Sequence, residues 1–281
     1  MSKGDKYMKI VVLSGKGGTG KTTISTNLAI NTKNAILIDT DVEEPNSHIF
    51  LKPKIEDTIS VTKDYPKVDI DKCTLCGKCG EFCRYNAILP AKNNVLIFKE
   101  ICHDCGGCKL VCPANAIKYE KREIGNIYSG TSKYGIKMKY GDLNVGEVSG
   151  IKIIEKLKEL VKEEEMVIID APPGTSCSTV AAVDGADYAI IVTEPTPFGV
   201  SDMKMVVEML RKMKIPFGVV VNKAGLGDDE VYKYCDEENI EILQEISFDR
   251  KIAKLYASGS ILSNEIEGYR EKFEMIMAKI K

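Results

Sequence analysis

Lys9-Ile-Val-Val-Leu-Ser-Gly-Lys-Gly-Gly-Thr-Gly-Lys-Thr22 is the stretch that decides the fold. Its first five residues form a short β-branched apolar run, the pattern of a buried strand. Glycines follow at Gly15, Gly17, Gly18 and Gly20, and a helix-forming stretch runs over 21–31. Strand, glycine loop and helix in that order aim backbone N–H groups at a phosphate on the helix N-terminus. Gly15-x4-Gly20-Lys21-Thr22 matches that loop over its full length. Lys21 is expected to reach the β- and γ-phosphates, and the Thr22 hydroxyl to hold Mg²⁺. Thr19 and Thr23 complete the expected nucleotide contacts.

Outward from this loop, short apolar runs recur. Strands are expected at 35–38, ending at Asp39-Thr-Asp41, at 166–169, ending at Asp170, at 188–193 and at 217–222. Helical patterns fall at 148–164, 201–213, 229–238 and 266–280. Strands alternating with helices predict an α/β fold with a parallel sheet covered on both faces. Ligands of such sheets bind at the carboxyl ends of the strands. Asp170 is there placed to share the Mg²⁺ shell.

Ten cysteines are present, and eight form two matching ladders. One is Cys73-x2-Cys76-x2-Cys79-x3-Cys83, the other Cys102-x2-Cys105-x2-Cys108-x3-Cys112. This spacing wraps three thiolates round one iron–sulfide cube, while the fourth cysteine serves the other cube. Cys73, Cys76, Cys79 and Cys112 are thus expected at one 4Fe-4S cluster, and Cys83, Cys102, Cys105 and Cys108 at the second. Zinc prefers cysteine pairs with a longer gap between them. Each ladder is followed by Asn-Ala-Ile, at Asn86 and at Asn115, so the unit repeats after about thirty residues. The reading is one discontinuous domain, 1–64 and 123–281, interrupted by a small α+β module over 65–122. Such a module has too little core to hold together without metal. The glycine-rich stretch 122–150 reads as a hairpin-like return with a strand at 136–140.

Lys16, a second lysine inside the loop, resembles the deviant phosphate loop of the MinD/ParA/Mrp ATPase family, which includes the nitrogenase iron protein. Asp39-Thr-Asp-Val-Glu-Glu-Pro-Asn46 resembles that family's first switch, and Asp170-Ala-Pro-Pro-Gly-Thr175 its second. Val192-Thr-Glu-Pro-Thr-Pro-Phe198, Val219-Val-Val-Asn222, Ile246-Ser-Phe-Asp249 and Ile252-Ala253 also fit. The cysteine module resembles two-cluster bacterial ferredoxins, with Arg84 standing where that pattern carries proline. A cation there is expected to raise one cluster's potential. The nearest likeness is the branch of MinD-like ATPases with an inserted ferredoxin domain.

The resemblance implies a P-loop, MinD-like fold and an ATP-dependent homodimer that binds ATP or ADP with Mg²⁺. Hydrolysis would be slow and dimer-dependent. Lys16 would reach the partner chain's phosphates, Asp41 would orient water, and Asp39 would support Mg²⁺. Asn222-Lys-Ala-Gly225 lacks the carboxylate that reads guanine, which favours adenine, with Asn222 donating to a ring nitrogen. The nitrogenase iron protein places a ligating cysteine where Cys177 stands. Here Cys177 reads either as a small buried residue or as an interface thiol, and Cys235 as structural. His48 and His103 read as incidental. The 266–281 stretch reads as a last helix packed on the sheet, although MinD proteins carry a membrane-targeting helix there.

Composition bounds the rest. A net charge of −2 argues against non-specific nucleic-acid binding, which needs a basic face. No apolar run is long enough to span a bilayer, and no signal-peptide pattern opens the chain, so a reducing cytoplasm is expected. Three functions follow as expectations. The first is an ATPase whose nucleotide state controls electron transfer to a redox partner. The second is a cluster carrier of the Mrp type serving an acceptor protein. The third is a positioning ATPase like MinD or ParA.

Overall fold

The computed structural model describes residues 8–161 and 166–280. The chain ends and the last residues of the helix expected over 148–164 lie outside them. From β1 (Lys9–Leu13) the chain passes into α1 (Lys21–Asn31), β2 (Ala35–Asp39) and α2 (Ser47–Leu51). β3 (Pro53–Val68) leads out to the cysteine region, which holds α3 (Lys78–Phe82), β4 (Ile88–Pro90), β5 (Val95–Ile97) and α4 (Gly107–Leu110). β6 (Ile117–Ser132) returns, and β7 (Lys137–Leu143) turns back beside it. Alternation then resumes with α5 (Ile151–Glu159), β8 (Met166–Asp170), α6 (Cys177–Val183), β9 (Tyr188–Thr193), α7 (Pro197–Met213), β10 (Phe217–Ala224) and α8 (Glu230–Glu237). β11 (Ile242–Ser247), α9 (Arg250–Ala257), α10 (Leu262–Glu265) and α11 (Tyr269–Ile280) close the chain.

These strands form a nine-stranded sheet in the order β11-β10-β9-β1-β8-β2-β7-β6-β3. β1 sits inside it because its residues are apolar on both faces. Ile10 and Val12 enter one core, with Ile24, Leu28, Phe273 and Ile276. Val11 and Leu13 enter the other, with Ile153, Leu157, Val206 and Leu210. Each such side chain contributes about 1.5–3 kcal/mol by leaving water, so the covered sheet is self-sufficient. The apolar stripe of α11 is buried against it through Phe273, Ile276, Met277 and Ile280, as the packing reading of that helix expects. Among the described residues no helix is long and apolar enough to cross a membrane.

Seven strands run parallel, and the sheet then changes character. β7 pairs antiparallel with β6, and β6 with β3. The hairpin-like return expected over 122–150 is thus a paired edge of the main sheet, with its second strand at Lys137–Leu143. β3 and β6 continue outward as a ribbon, crossing positions 65 and 122 without a break, with Tyr65 opposite Glu120 and Lys63 opposite Arg122. β11 is a strand the sequence pattern left unread. At the ribbon's tip the core is Ile88, Val95, Cys108 and Ile117, with Cys73, Cys79, Cys83 and Cys112 packed on it. The cysteines are themselves much of that core.

Candidate functional site

The glycine loop is shaped from both sides. Gly18 and Gly20 take positive φ, 77° and 96°, where a side chain costs about 1–2 kcal/mol. A Cβ on Gly15 would lie 2.4 Å from the Asp202 carbonyl oxygen of α7, and one on Gly20 would lie 2.3 Å from Asn222 Nδ2. Ser14 Oγ donates to the Lys16 carbonyl at 2.6 Å. Gly174 N–H, in the expected second switch, donates to the Ser14 carbonyl at 2.8 Å. Asn222 Nδ2 donates to the Thr19 carbonyl at 2.7 Å, so this residue braces the loop. Lys223 bonds the Gly18 carbonyl at 3.2 Å and Glu194 at 2.5 Å. Lys16 turns to the same Glu194 carboxylate, at 3.5 Å.

A cavity of about 380 Å³ opens over this loop. Gly17, Gly18, Gly20, Lys21, Thr22, Thr23, Asp41 and Asn222 meet there, with Phe248 and Tyr256 as an apolar wall. Asp39 and Asp170 end adjacent parallel strands opposite one another, both buried beneath the loop. Their roles differ. Asp39 accepts from the Asp41 N–H at 3.0 Å, the Asn46 N–H at 3.1 Å and the Ser47 N–H at 2.9 Å. Both its oxygens therefore shape the first-switch loop. Asp170 Oδ2 accepts from Ser47 Oγ at 2.8 Å, while among the described residues its buried Oδ1 has no hydrogen bond within normal range, nor has Thr19 Oγ1. The Thr22 and Ser25 hydroxyls near Asp170 favour its charged form. A carboxylate oxygen left open beside Lys21 and Thr22 is the donor a hard cation takes, so the residues fit Mg²⁺.

Electrostatics agree. Burial and the Asp170 charge push Asp39 upward, to about 8, against the loop N–H groups that favour its charged form. Burial raises Asp170, opposed by Lys21. Asp41 is pushed to about 6 by burial, again opposed by Lys21. Burial and mutual repulsion hold the two facing carboxyls up, only partly offset by Lys21 and local donors; a divalent cation favours the charged form of both.

The eight ladder cysteines fall into two sets. Cys83, Cys102, Cys105 and Cys108 line one cavity of about 580 Å³. Cys73, Cys76, Cys79 and Cys112 line a second, of about 20 Å³. Each set joins three cysteines of one ladder to the fourth of the other. The Ala87 N–H points at Cys83 Sγ and the Ala116 N–H at Cys112 Sγ, each at 3.4 Å. Among the described residues no three His, Cys, Asp or Glu side chains converge to hold a single metal ion. Four soft thiols around a space, with N–H donors directed at sulfur, are a donor set that suits an iron–sulfide cluster.

Cys177 is exposed at the start of α6, which corrects its reading as a small buried residue. Cys235 is buried, and burial pushes its thiol up to about 11. His103 stacks on Tyr85 and His48 on Tyr140.

Several residues here carry no sequence signal. Glu147 lies in the glycine-rich stretch yet its side chain is buried, pairing with Lys63 of β3 at 3.4 Å and with Arg122 of β6. Asp104, in the second ladder, accepts from Lys152 of α5 and, at 3.2 Å, from the Asp64 N–H. Ser47 and Tyr119 likewise belong to no motif, and Glu194, although inside the 192–198 stretch, has no role assigned from sequence. Their roles arise from chain segments distant in sequence.

A family model described as the CobQ/CobB/MinD/ParA nucleotide binding domain matches residues 10–262. An uncharacterized protein of Methanocaldococcus jannaschii is 34% identical over 98% of this chain and 96% of its own. The iron-sulfur cluster carrier protein of the same organism is 27% identical over 82% of this chain and 63% of its own. Among solved structures, the septum site-determining protein MinD of Pyrococcus horikoshii, complexed with Mg-ADP, matches with a TM-score of 0.59 at 17% identity, covering 97% of this chain and 96% of that one. With the phosphate loop, the buried aspartate pair and the parallel sheet in place, the chain belongs to the CobQ/CobB/MinD/ParA nucleotide-binding family and is a P-loop ATPase.

Proposed function

We propose that nucleotide state in this ATPase times one-electron transfer through two 4Fe-4S sites in the module at 65–122. The observation that carries this reading is the sorting of eight cysteines into two cavities by the crossed pattern their spacing predicts. Iron–sulfur clusters supply one-electron oxidation and reduction when bound. Lys21, Thr22 and Asp170 hold the phosphates and Mg²⁺, and Asp41 orients the attacking water. Lys16 is held by Glu194 within the chain; the phosphates of a second copy compete for it, which makes hydrolysis slow and dimer-dependent.

A contiguous path supports the coupling. Val42, next to Asp41, accepts from the Leu143 N–H at 2.9 Å. A Cβ on Gly150 would lie 2.2 Å from Val42 Cγ2, so the switch is wedged against the loop before α5. That loop holds Glu147, which grips both ribbon strands, while α5 reaches Asp104 between Cys102 and Cys105. Movement of the first switch therefore bears on the second ladder through packed groups.

The test is anaerobic: iron and sulfide content, then midpoint potentials and transfer rates with ATP, with ADP and without nucleotide. Potentials and rates that ignore nucleotide end the coupling. A second reading, a cluster carrier, is favoured by the likeness to the iron-sulfur cluster carrier protein. Iron that leaves for an apo-acceptor during ATP turnover, rather than staying bound and changing redox state, decides for the carrier.

A further inference from the structure

The module is a repeat, and its two halves match closely in backbone. Leu75 and Asp104 share left-handed φ values of 53° and 51°, Gly77 and Gly106 of 82° and 76°, and Asn86 and Asn115 of 53° and 50°. The N–H contacts to Cys83 and Cys112 are equal in length. The Cys83 and Cys112 sulfurs therefore see equivalent main-chain donors, and the two sites differ in the side chains around them.

The repeat breaks where it matters. Counting from Asn86-Ala-Ile88 and Asn115-Ala-Ile117, Pro90 corresponds to Tyr119, and counting from Cys83 and Cys112, Arg84 corresponds to Pro113. Pro90 lines the cavity of Cys73, Cys76, Cys79 and Cys112 and has no hydrogen to donate. Tyr119 lines the cavity of Cys83, Cys102, Cys105 and Cys108, and so does Arg84. The Tyr119 hydroxyl lies 3.0 Å from Cys108 Sγ. A ligating thiolate has no proton, so in that state only the phenol donates.

We infer that Tyr119 is a positioning and tuning residue that raises the reduction potential of the Cys83/Cys102/Cys105/Cys108 site above that of its twin, so that a single electron shared between the two rests there. This rests on the proposed presence of two clusters. Reduction adds one negative charge, and a hydrogen bond to the thiolate stabilises the more negative form. The exchange is balanced: one electron leaves the Cys73/Cys76/Cys79/Cys112 site, one arrives at the other, and no proton moves. Burial opposes the effect, because Cys102 and Cys108 are more enclosed than Cys73 and Cys79. The hydroxyl outweighs it, since hydrogen bonds to charged groups are worth about tenfold or more in an equilibrium, whereas Arg84 is exposed and its charge is screened by solvent.

The test is Tyr119→Phe, which keeps the ring and the burial and removes the donor. Iron and sulfide are counted first; a chain that binds neither overturns the proposed function itself, before any potential is read. In the loaded chain, voltammetry is expected to resolve two midpoints. Tyr119→Phe lowers the higher one by about tenfold in electron occupancy, about 59 mV for a one-electron couple, and leaves the lower unchanged. Unmoved midpoints, or movement of the lower one only, overturn the inference. Coincident midpoints in the unaltered chain overturn it without any variant.

Discussion

The nucleotide end of the sheet and the cysteine module at the ribbon's tip are built from different materials. The first is backed by two full cores, and its loop is braced by hydrogen bonds from Ser14, Gly174 and Asn222. The second has a small core cluster around Ile88, Val95, Cys108 and Ile117 and finishes its packing with more cysteine side chains. A Mg²⁺–nucleotide site needs N–H groups for the phosphates and one well-placed carboxylate for the cation, and a sheet supplies both at its strand ends. A thiolate site in a short chain segment borrows its stability from what it binds. The two regions meet at Glu147, Lys63 and Arg122, which belong structurally to both.

The sharpest way to break this comparison is to remove the metal that the proposed clusters would supply. Chelation under reducing conditions should strip amide-exchange protection from α3, β4, β5 and α4 and leave β1, β8 and β9 protected. Structural metal sites supply on the order of 10 kcal/mol, so a module that keeps its protection would refute the borrowed-stability reading. Next, Glu147→Ala removes the carboxylate that pairs with buried Lys63 and leaves Arg122 only the more distant, exposed Glu100. It should cost about 3–5 kcal/mol in denaturant unfolding; a loss within 1 kcal/mol would mean the junction carries no load.

On the nucleotide side, Lys16→Ala should lower kcat by about 10²- to 10³-fold while ATP affinity stays within a few fold, as for the loss of one charge-stabilising donor. Normal hydrolysis would remove Lys16 from the reaction. Gly20→Ala forces a side chain onto left-handed backbone and into Asn222 Nδ2. It should cost about 1–2 kcal/mol and weaken ATP binding, as titration would show. The smallest effect is at the spare cysteines. At neutral pH an alkylating reagent should label Cys177 and spare Cys235. The raised Cys235 thiol holds its proton in the fold, so the stability it adds is present below the unfolded thiol range near pH 8.5. It fades as pH rises toward about 11, and Cys235→Ala should flatten that part of the stability profile.

Much of the first region was legible. Local spacing announces β1, the glycine loop and α1, because a phosphate loop is written in consecutive residues. The strand-end aspartates Asp39 and Asp170 were equally plain, although nothing in sequence tells that Asp39 holds a loop while Asp170 keeps an oxygen free. That distinction depends on the N–H groups of Asn46 and Ser47, which only folding brings to Asp39. Cys177 shows the limit from the other side, since its exposure follows from where α6 begins.

The ribbon was not legible. β3 alternates weakly, with most of residues 54–60 exposed, and a strand polar on both faces lacks the period-two signal. Its partner lies more than fifty residues away in sequence, Tyr65 against Glu120. The amino-acid sequence by itself determined the phosphate loop, the alternating α/β plan and the crossed grouping of eight cysteines, because each is set by short covalent spacing. Only the tertiary structure decided that the module hangs from the sheet's antiparallel edge, that Glu147 joins it to the switch side, and that Tyr119 touches one cysteine set and not the other. Those depend on strand register and on burial between distant segments, which no local pattern encodes.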